Sequence, residues 1–66
     1  MKLQVNGITH EAAAPLTVRG LLDQMGFGEK PVVVELNQRA LSPREHASTE
    51  LHDGDVLEMV QITAGG

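Results

Sequence analysis

Polar and apolar residues alternate from Met1 to Asn6. Leu3 and Val5 point to one side and Lys2, Gln4 and Asn6 to the other, which is the period of a β-strand. Asn6-Gly7 follows. Both central residues of a type I′ turn need positive φ, so this dipeptide predicts a two-residue hairpin. The register then pairs Val5 with Ile8, Gln4 with Thr9, Leu3 with His10 and Lys2 with Glu11. Leu3, Val5, Ile8 and His10 share one face, and Lys2 opposes Glu11 on the other. Pro15 stops the second strand because it has no N–H to give a ladder.

The period then changes. Val18, Leu21, Leu22 and Met25 recur at helical spacing behind Thr17, a good N-cap. Gly26 falls where a helix takes its left-handed C′ residue, and Phe27 just beyond it closes against the last turn. Gly20 within this short helix costs about 1 kcal/mol relative to Ala. Val32 to Leu36 is a β-branched run of the kind found in strands covered on both faces. Asn37 to Leu41 reads as a turn and a short strand. Ser42-Pro43-Arg44-Glu45 reads as one helical turn, with Ser42 capping and Pro43 at its first position. Asp53-Gly54-Asp55 is a tight turn, and Val56 to Thr63 a final strand. Hairpin, helix, strand, short pieces and strand make an α+β chain. One helix lying across a mixed four- or five-stranded sheet buries its apolar positions most economically. That is the β-grasp arrangement. It predicts a domain over residues 1–63, with a mobile tail over 64–66.

Composition narrows the function. The chain has 66 residues, five Lys or Arg, nine Asp or Glu, no Cys and a single aromatic, Phe27. A net charge of −4 provides no basic patch for nucleic acid, and one aromatic is no stacking platform. Without cysteine there is no disulfide framework, thiolate metal site or thiol nucleophile. No apolar run approaches the roughly 18 residues of a membrane span, and a signal-peptide core is missing. The expectation is a cytoplasmic protein with little room for an enclosed active site.

Side chains offer little chemistry. His10 belongs to the inward hairpin face, and His46 and His52 lie in a polar segment without ligand spacing. Asp53 and Asp55 flank a glycine as in part of a calcium loop, yet the remaining ligand positions are missing, so a turn-forming role is expected. Ser42 and Ser48 sit in no nucleophile motif. The unusual feature is Ala64-Gly65-Gly66. At about 7% glycine usage a terminal Gly-Gly arises by chance in roughly one chain in two hundred. Thr63 to Gly66 can reach roughly 13 Å from the body. Glycine has no Cβ, so such a backbone can thread a narrow channel. The group delivered is the α-carboxylate of Gly66, which another enzyme can activate.

Val5-Asn6-Gly7, Thr17-Val18, Leu21-Leu22, Val34-Glu35-Leu36-Asn37, Pro43-Arg44-Glu45, Leu51-His52-Asp53-Gly54-Asp55 and Gly65-Gly66 occur in one order and at one length. In this the chain resembles the sulfur carrier proteins of thiamine thiazole synthesis, the ThiS-like proteins. His46-Ala47 departs from the pattern, since similar chains often carry an aromatic after Pro43-Arg44. The resemblance implies a protein cosubstrate, not an enzyme, that has no cofactor of its own. A ubiquitin-activating-enzyme-like (ThiF-like) adenylyltransferase using MgATP would convert the Gly66 carboxylate to an acyl-adenylate. A persulfide from a cysteine desulfurase relay would then leave a thiocarboxylate, and thiazole synthase (ThiG-like) would take the sulfur. Gly65 and Ala64 would thread the tail.

The final strand suggests where partners dock. If Leu57 and Met59 face the core, Glu58, Val60 and Ile62 point outward as a small patch, with Phe27 or Leu41 as extensions. The opposite phase would bury Glu58. Three other readings remain open: a molybdopterin synthase small subunit, a ubiquitin-like modifier attached to lysines, and a plain β-grasp binding module with an inert tail.

Overall fold

A computed structural model describes residues 1–63; the expected tail, Ala64, Gly65 and Gly66, lies outside the described residues. In chain order the elements are β1 (Lys2–Val5), β2 (Ile8–Glu11), α1 (Val18–Gln24), β3 (Val32–Leu36), β4 (Arg39–Leu41), a single 3₁₀ turn (Pro43–Glu45) and β5 (Val56–Gln61). The strands form one five-stranded sheet in the order β2-β1-β5-β3-β4. β1 and β5 run parallel, whereas β1–β2, β3–β4 and β3–β5 are antiparallel. With α1 across one face, this is the β-grasp arrangement.

The hairpin takes the expected register, Lys2 opposite Glu11 through Val5 opposite Ile8. Asn6 and Gly7 turn with φ of 51° and 80°, as a type I′ turn requires. Thr17 caps α1 by accepting from Gly20 N at 3.1 Å. The remaining first-turn donors are met from the polar segment, Val18 N by Thr49 O at 3.0 Å and Arg19 N by His46 O at 2.8 Å. At the other end Gly26 N donates to Asp23 O and Phe27 N to Leu22 O, the paired bonds of a Schellman ending. A Cβ at Gly20 would come within 2.8 Å of Leu16 Cδ1, so that side chain would have to shift to admit one.

Val18, Leu21 and Leu22 of α1 meet Leu3, Val5, Val34, Leu57 and Met59 of the sheet in one core, with Val32, Leu41 and Leu51 at its margin. Four expectations change here. β3 is buried on alternate residues only, because a single helix covers a single face and leaves Val33 and Glu35 in solvent. Ile8 shares the register of Val5 yet is 71% exposed, since it stands on edge strand β2 at the end of α1. Met25 caps the helix and is exposed as well, because the last turn runs past the core. β5 ends at Gln61, not Thr63, although Ile62 N still bonds Pro31 O at 2.9 Å.

β5 is held by two asparagines. Asn6 Oδ1 accepts from Met59 N at 2.7 Å, and Asn6 Nδ2 donates to Met59 O at 3.0 Å. Across the strand, Asn37 Oδ1 accepts from Val56 N at 3.0 Å, while Asn37 N donates to Val56 O at 2.7 Å. Both asparagines have a φ of 51°, so each closes a turn and pairs with β5 from the same position. Asn6→Ala is expected to lower the unfolding free energy by about 2 kcal/mol, through two lost hydrogen bonds and a disfavoured positive φ. Asn6→Gly should recover only the φ part. Urea denaturation measures both, and a loss below about 0.5 kcal/mol in the alanine variant would show that the clamp contributes little.

Candidate functional site

The face of the sheet away from α1 is open. Its centre is β5, where Leu57 is fully buried and Met59 nearly so, which turns Val56, Glu58 and Val60 outward. Val60 is 63% exposed, and Ile62 just beyond the strand is also exposed. Strand pairing adds two residues that the sequence reading missed: Val33 stands opposite Val60, and Glu35 opposite Glu58. From the sheet centre towards Thr63 the open face thus presents a carboxylate pair, a valine pair and Ile62. Ile62 is bonded to Pro31, and so the patch ends beside the point where residues 64–66 begin.

The expected extensions lie elsewhere. Leu41 faces the core opposite Val34, and Phe27 packs against the same core beyond the helix end. The signal for Val33 was present in the sequence. Glu35 is an i+2 neighbour of Val33, and a strand carrying a glutamate on one face has that face in water. β-Branched density in Val32-Val33-Val34 outweighed it.

The other candidates are structural. Asp53 Oδ1 accepts from Lys2 N at 2.6 Å and Asp55 Oδ2 from His52 N at 2.7 Å, so the Asp-Gly-Asp turn ties itself to β1. Asp55 Oδ1 also accepts from Asn37 Nδ2 at 3.0 Å, which orients that clamp. Lys2 and Glu11 stand opposite one another without closing an ion pair, both being exposed to water. Among the described residues no group of His, Asp or Glu could hold a metal ion. No helix among the described residues is long and apolar enough to cross a membrane. A concavity of about 550 Å³ opens beside Leu16, Thr17 and Gly20, and Glu50 is the titratable residue that lines it.

Two groups near the 3₁₀ turn have displaced protonation. Ser42 N–H, donating at 2.7 Å, holds the Glu45 carboxyl below the usual carboxylate range, and Arg39 at 2.7 Å reinforces this. His46 is only 7% exposed, and its Nε2 has no hydrogen-bond partner among the described residues. Burial, then the Arg19 charge, lowers its pKa below the ordinary 6.5, while Glu45 opposes the shift. Arg19 in turn donates to Gly28 O.

These observations define a small one-helix sheet with an exposed apolar and acidic face, and no metal-binding cluster among the described residues. The ThiS family model matches residues 3–66. The chain belongs to the ThiS family. A crystal structure of the thiamine biosynthesis protein ThiS from Geobacter metallireducens superposes with a TM-score of 0.84 at 33% identity, covering 100% of both chains. The sulfur carrier protein ThiS of Thermus thermophilus is 40% identical over 50 residues, 76% of this chain and 78% of its own. Thiazole synthase of Paramagnetospirillum magneticum is 36% identical over 66 residues, all of this chain but 20% of that protein. Thiazole synthase of Magnetococcus marinus matches to the same extent. The chain therefore spans about a fifth of the length of these two relatives.

Two measurements test this ThiS-family geometry. Leu57→Ala should cost about 2–5 kcal/mol of stability, whereas Val60→Asp should stay within about 1 kcal/mol of the parent. Equal losses would place Val60 in the core. For His46, folded and unfolded imidazoles are both neutral well above pH 6.5, so the shift contributes nothing there. As the pH falls below 6.5 the unfolded chain binds the proton first, and stability declines towards the lowered folded pKa. The urea midpoint should therefore fall between pH 7 and pH 5, and His46→Gln should flatten that slope.

Proposed function

We propose that this ThiS-family chain is a sulfur carrier for thiazole formation, with the α-carboxylate of Gly66 as its reactive group. The carboxylate attacks the α-phosphorus of ATP on a ubiquitin-activating-enzyme-like adenylyltransferase, and pyrophosphate leaves. The acyl-adenylate makes AMP the leaving group, so the terminal sulfur of a persulfide, formed by a cysteine desulfurase relay, can displace it. A thiol then cleaves the S–S bond of the acyl persulfide. Gly66 is left as a thiocarboxylate, and the two other sulfurs as a disulfide. Thiazole synthase takes the sulfur. Gly65 and Ala64 carry no bulk that would hinder threading, and Glu58, Val60 and Ile62 dock the body against each partner in turn.

The observation that carries this reading is the family match running through residue 66, so that it includes Gly65-Gly66. The two thiazole synthases support the choice of acceptor, since each holds a segment similar to this chain within one polypeptide. The open face supports the docking assignment, because its exposed valines lie next to the start of the tail.

Intact mass measured after incubation with MgATP, cysteine and a desalted bacterial extract tests it. The expected gain equals one oxygen replaced by sulfur, maps to the C-terminal peptide and requires ATP. Deletion of Gly65-Gly66 should abolish it, and Val60→Asp should reduce it at least tenfold without unfolding the chain. An unchanged mass, in an extract active on another carrier, would favour a binding module with an inert tail.

A further inference from the structure

Glu35 and Glu58 face one another directly across β3 and β5, on the exposed side of the sheet. Opposed like charges destabilise an antiparallel pair, whose Cβ atoms stand about 5 Å apart. Neither carboxylate belongs to an ion pair among the described residues. The two ion pairs among the described residues are Arg19–Asp23 and Arg39–Glu45, and Arg39 opposes Leu36, on the other side of β4 from this face. The neighbour of Glu35 on β4 is Ala40, and that of Val56 on β1 is Gln4; both are uncharged. Beside the carboxylates, Val33 and Val60 form an exposed cross-strand apolar pair, continued by Ile62. An apolar patch bordered at one end by an uncompensated carboxylate pair is complementary to a surface carrying a cation beside an apolar residue.

Resting on the carrier reading above, we propose that the adenylating partner seats an arginine guanidinium between Glu35 and Glu58 while its apolar side chains cover Val33 and Val60. The guanidinium suits this place better than an ammonium, because its planar fork donates to two carboxylates at once. The two ends of the patch differ in chemistry, so they set a direction. A cation at the Glu35–Glu58 end places the Ile62 end, and the tail that follows it, over the partner's nucleotide site. Reversed docking would bring the carboxylates against apolar surface.

The test uses ATP–pyrophosphate exchange by the cognate adenylyltransferase, with the full-length chain as varied substrate. Removing both charges in Glu35→Gln/Glu58→Gln should raise KM about tenfold with kcat little changed. The same variant should lose the rise in KM that the parent shows between low and moderate salt. Its thermal midpoint should stay level or rise, since a repulsion is removed. Glu29→Gln/Glu50→Gln lowers the net negative charge equally and should leave KM unchanged. A KM for the Glu35/Glu58 variant within twofold of the parent overturns the proposal but leaves the carrier reading standing. An equal loss in the Glu29/Glu50 variant also overturns it, because overall charge would then be sufficient. No exchange with the parent chain overturns the carrier reading and this proposal with it.

Discussion

Everything in this molecule depends on β5 being held between β1, from the start of the chain, and β3, from its middle. β1 lies on one side in parallel and β3 on the other antiparallel, so β5 joins the two halves of the sheet. Parallel pairing between β1 and β5 is short, and two asparagine side chains extend the hold. Asn6 bonds both backbone groups of Met59, and Asn37 fastens Val56 three residues earlier. The clamp on each side is a turn residue with left-handed φ, a conformation that asparagine tolerates better than most side chains. Turn geometry and sheet assembly are therefore coupled at the same residues.

Holding β5 in this register sets what each face becomes. With Leu57 and Met59 directed at α1, the alternate residues must face outward, and one short helix cannot cover both sides of five strands. The core is small and one-sided. It relies on the Asp53-Gly54-Asp55 turn and the polar 42–52 segment to close its ends, through bonds to β1 and to the first turn of α1. The uncovered side carries Val33, Val60 and Ile62 beside Glu35 and Glu58, all exposed.

Local features were legible in the sequence because they depend on neighbours. The Asn6-Gly7 turn carried the hairpin register, and Thr17 and Gly26 bounded the helix within a residue or two. The phase of β5 was legible too, since Glu58 had to face water. Misreadings arose where distance in space decided the outcome. Val33 was read as covered because the sequence does not count helices over a face. Ile8 and Met25 fit the apolar periods, yet both sit where α1 ends and the core stops. Leu41 fell in a short segment with no period to orient it, and it is the pairing of β4 with β3 that turns it inward. His46 looked like part of a solvated loop, but its carbonyl meets Arg19 N and draws the ring into the interior.

By itself the sequence determined the turns, the helix limits, the alternation of each strand and the Gly65-Gly66 ending, because each follows from backbone preference or from side chains within a few residues. Tertiary structure alone decided which strands became neighbours. Only that choice placed Val33 beside Val60 and Glu35 beside Glu58, and gave Asn6 and Asn37 their partners on β5. The reason is physical: hydrogen-bond pairing between segments about 20 or more residues apart leaves no periodic trace in either one. A surface made of such pairs exists only once the sheet has closed.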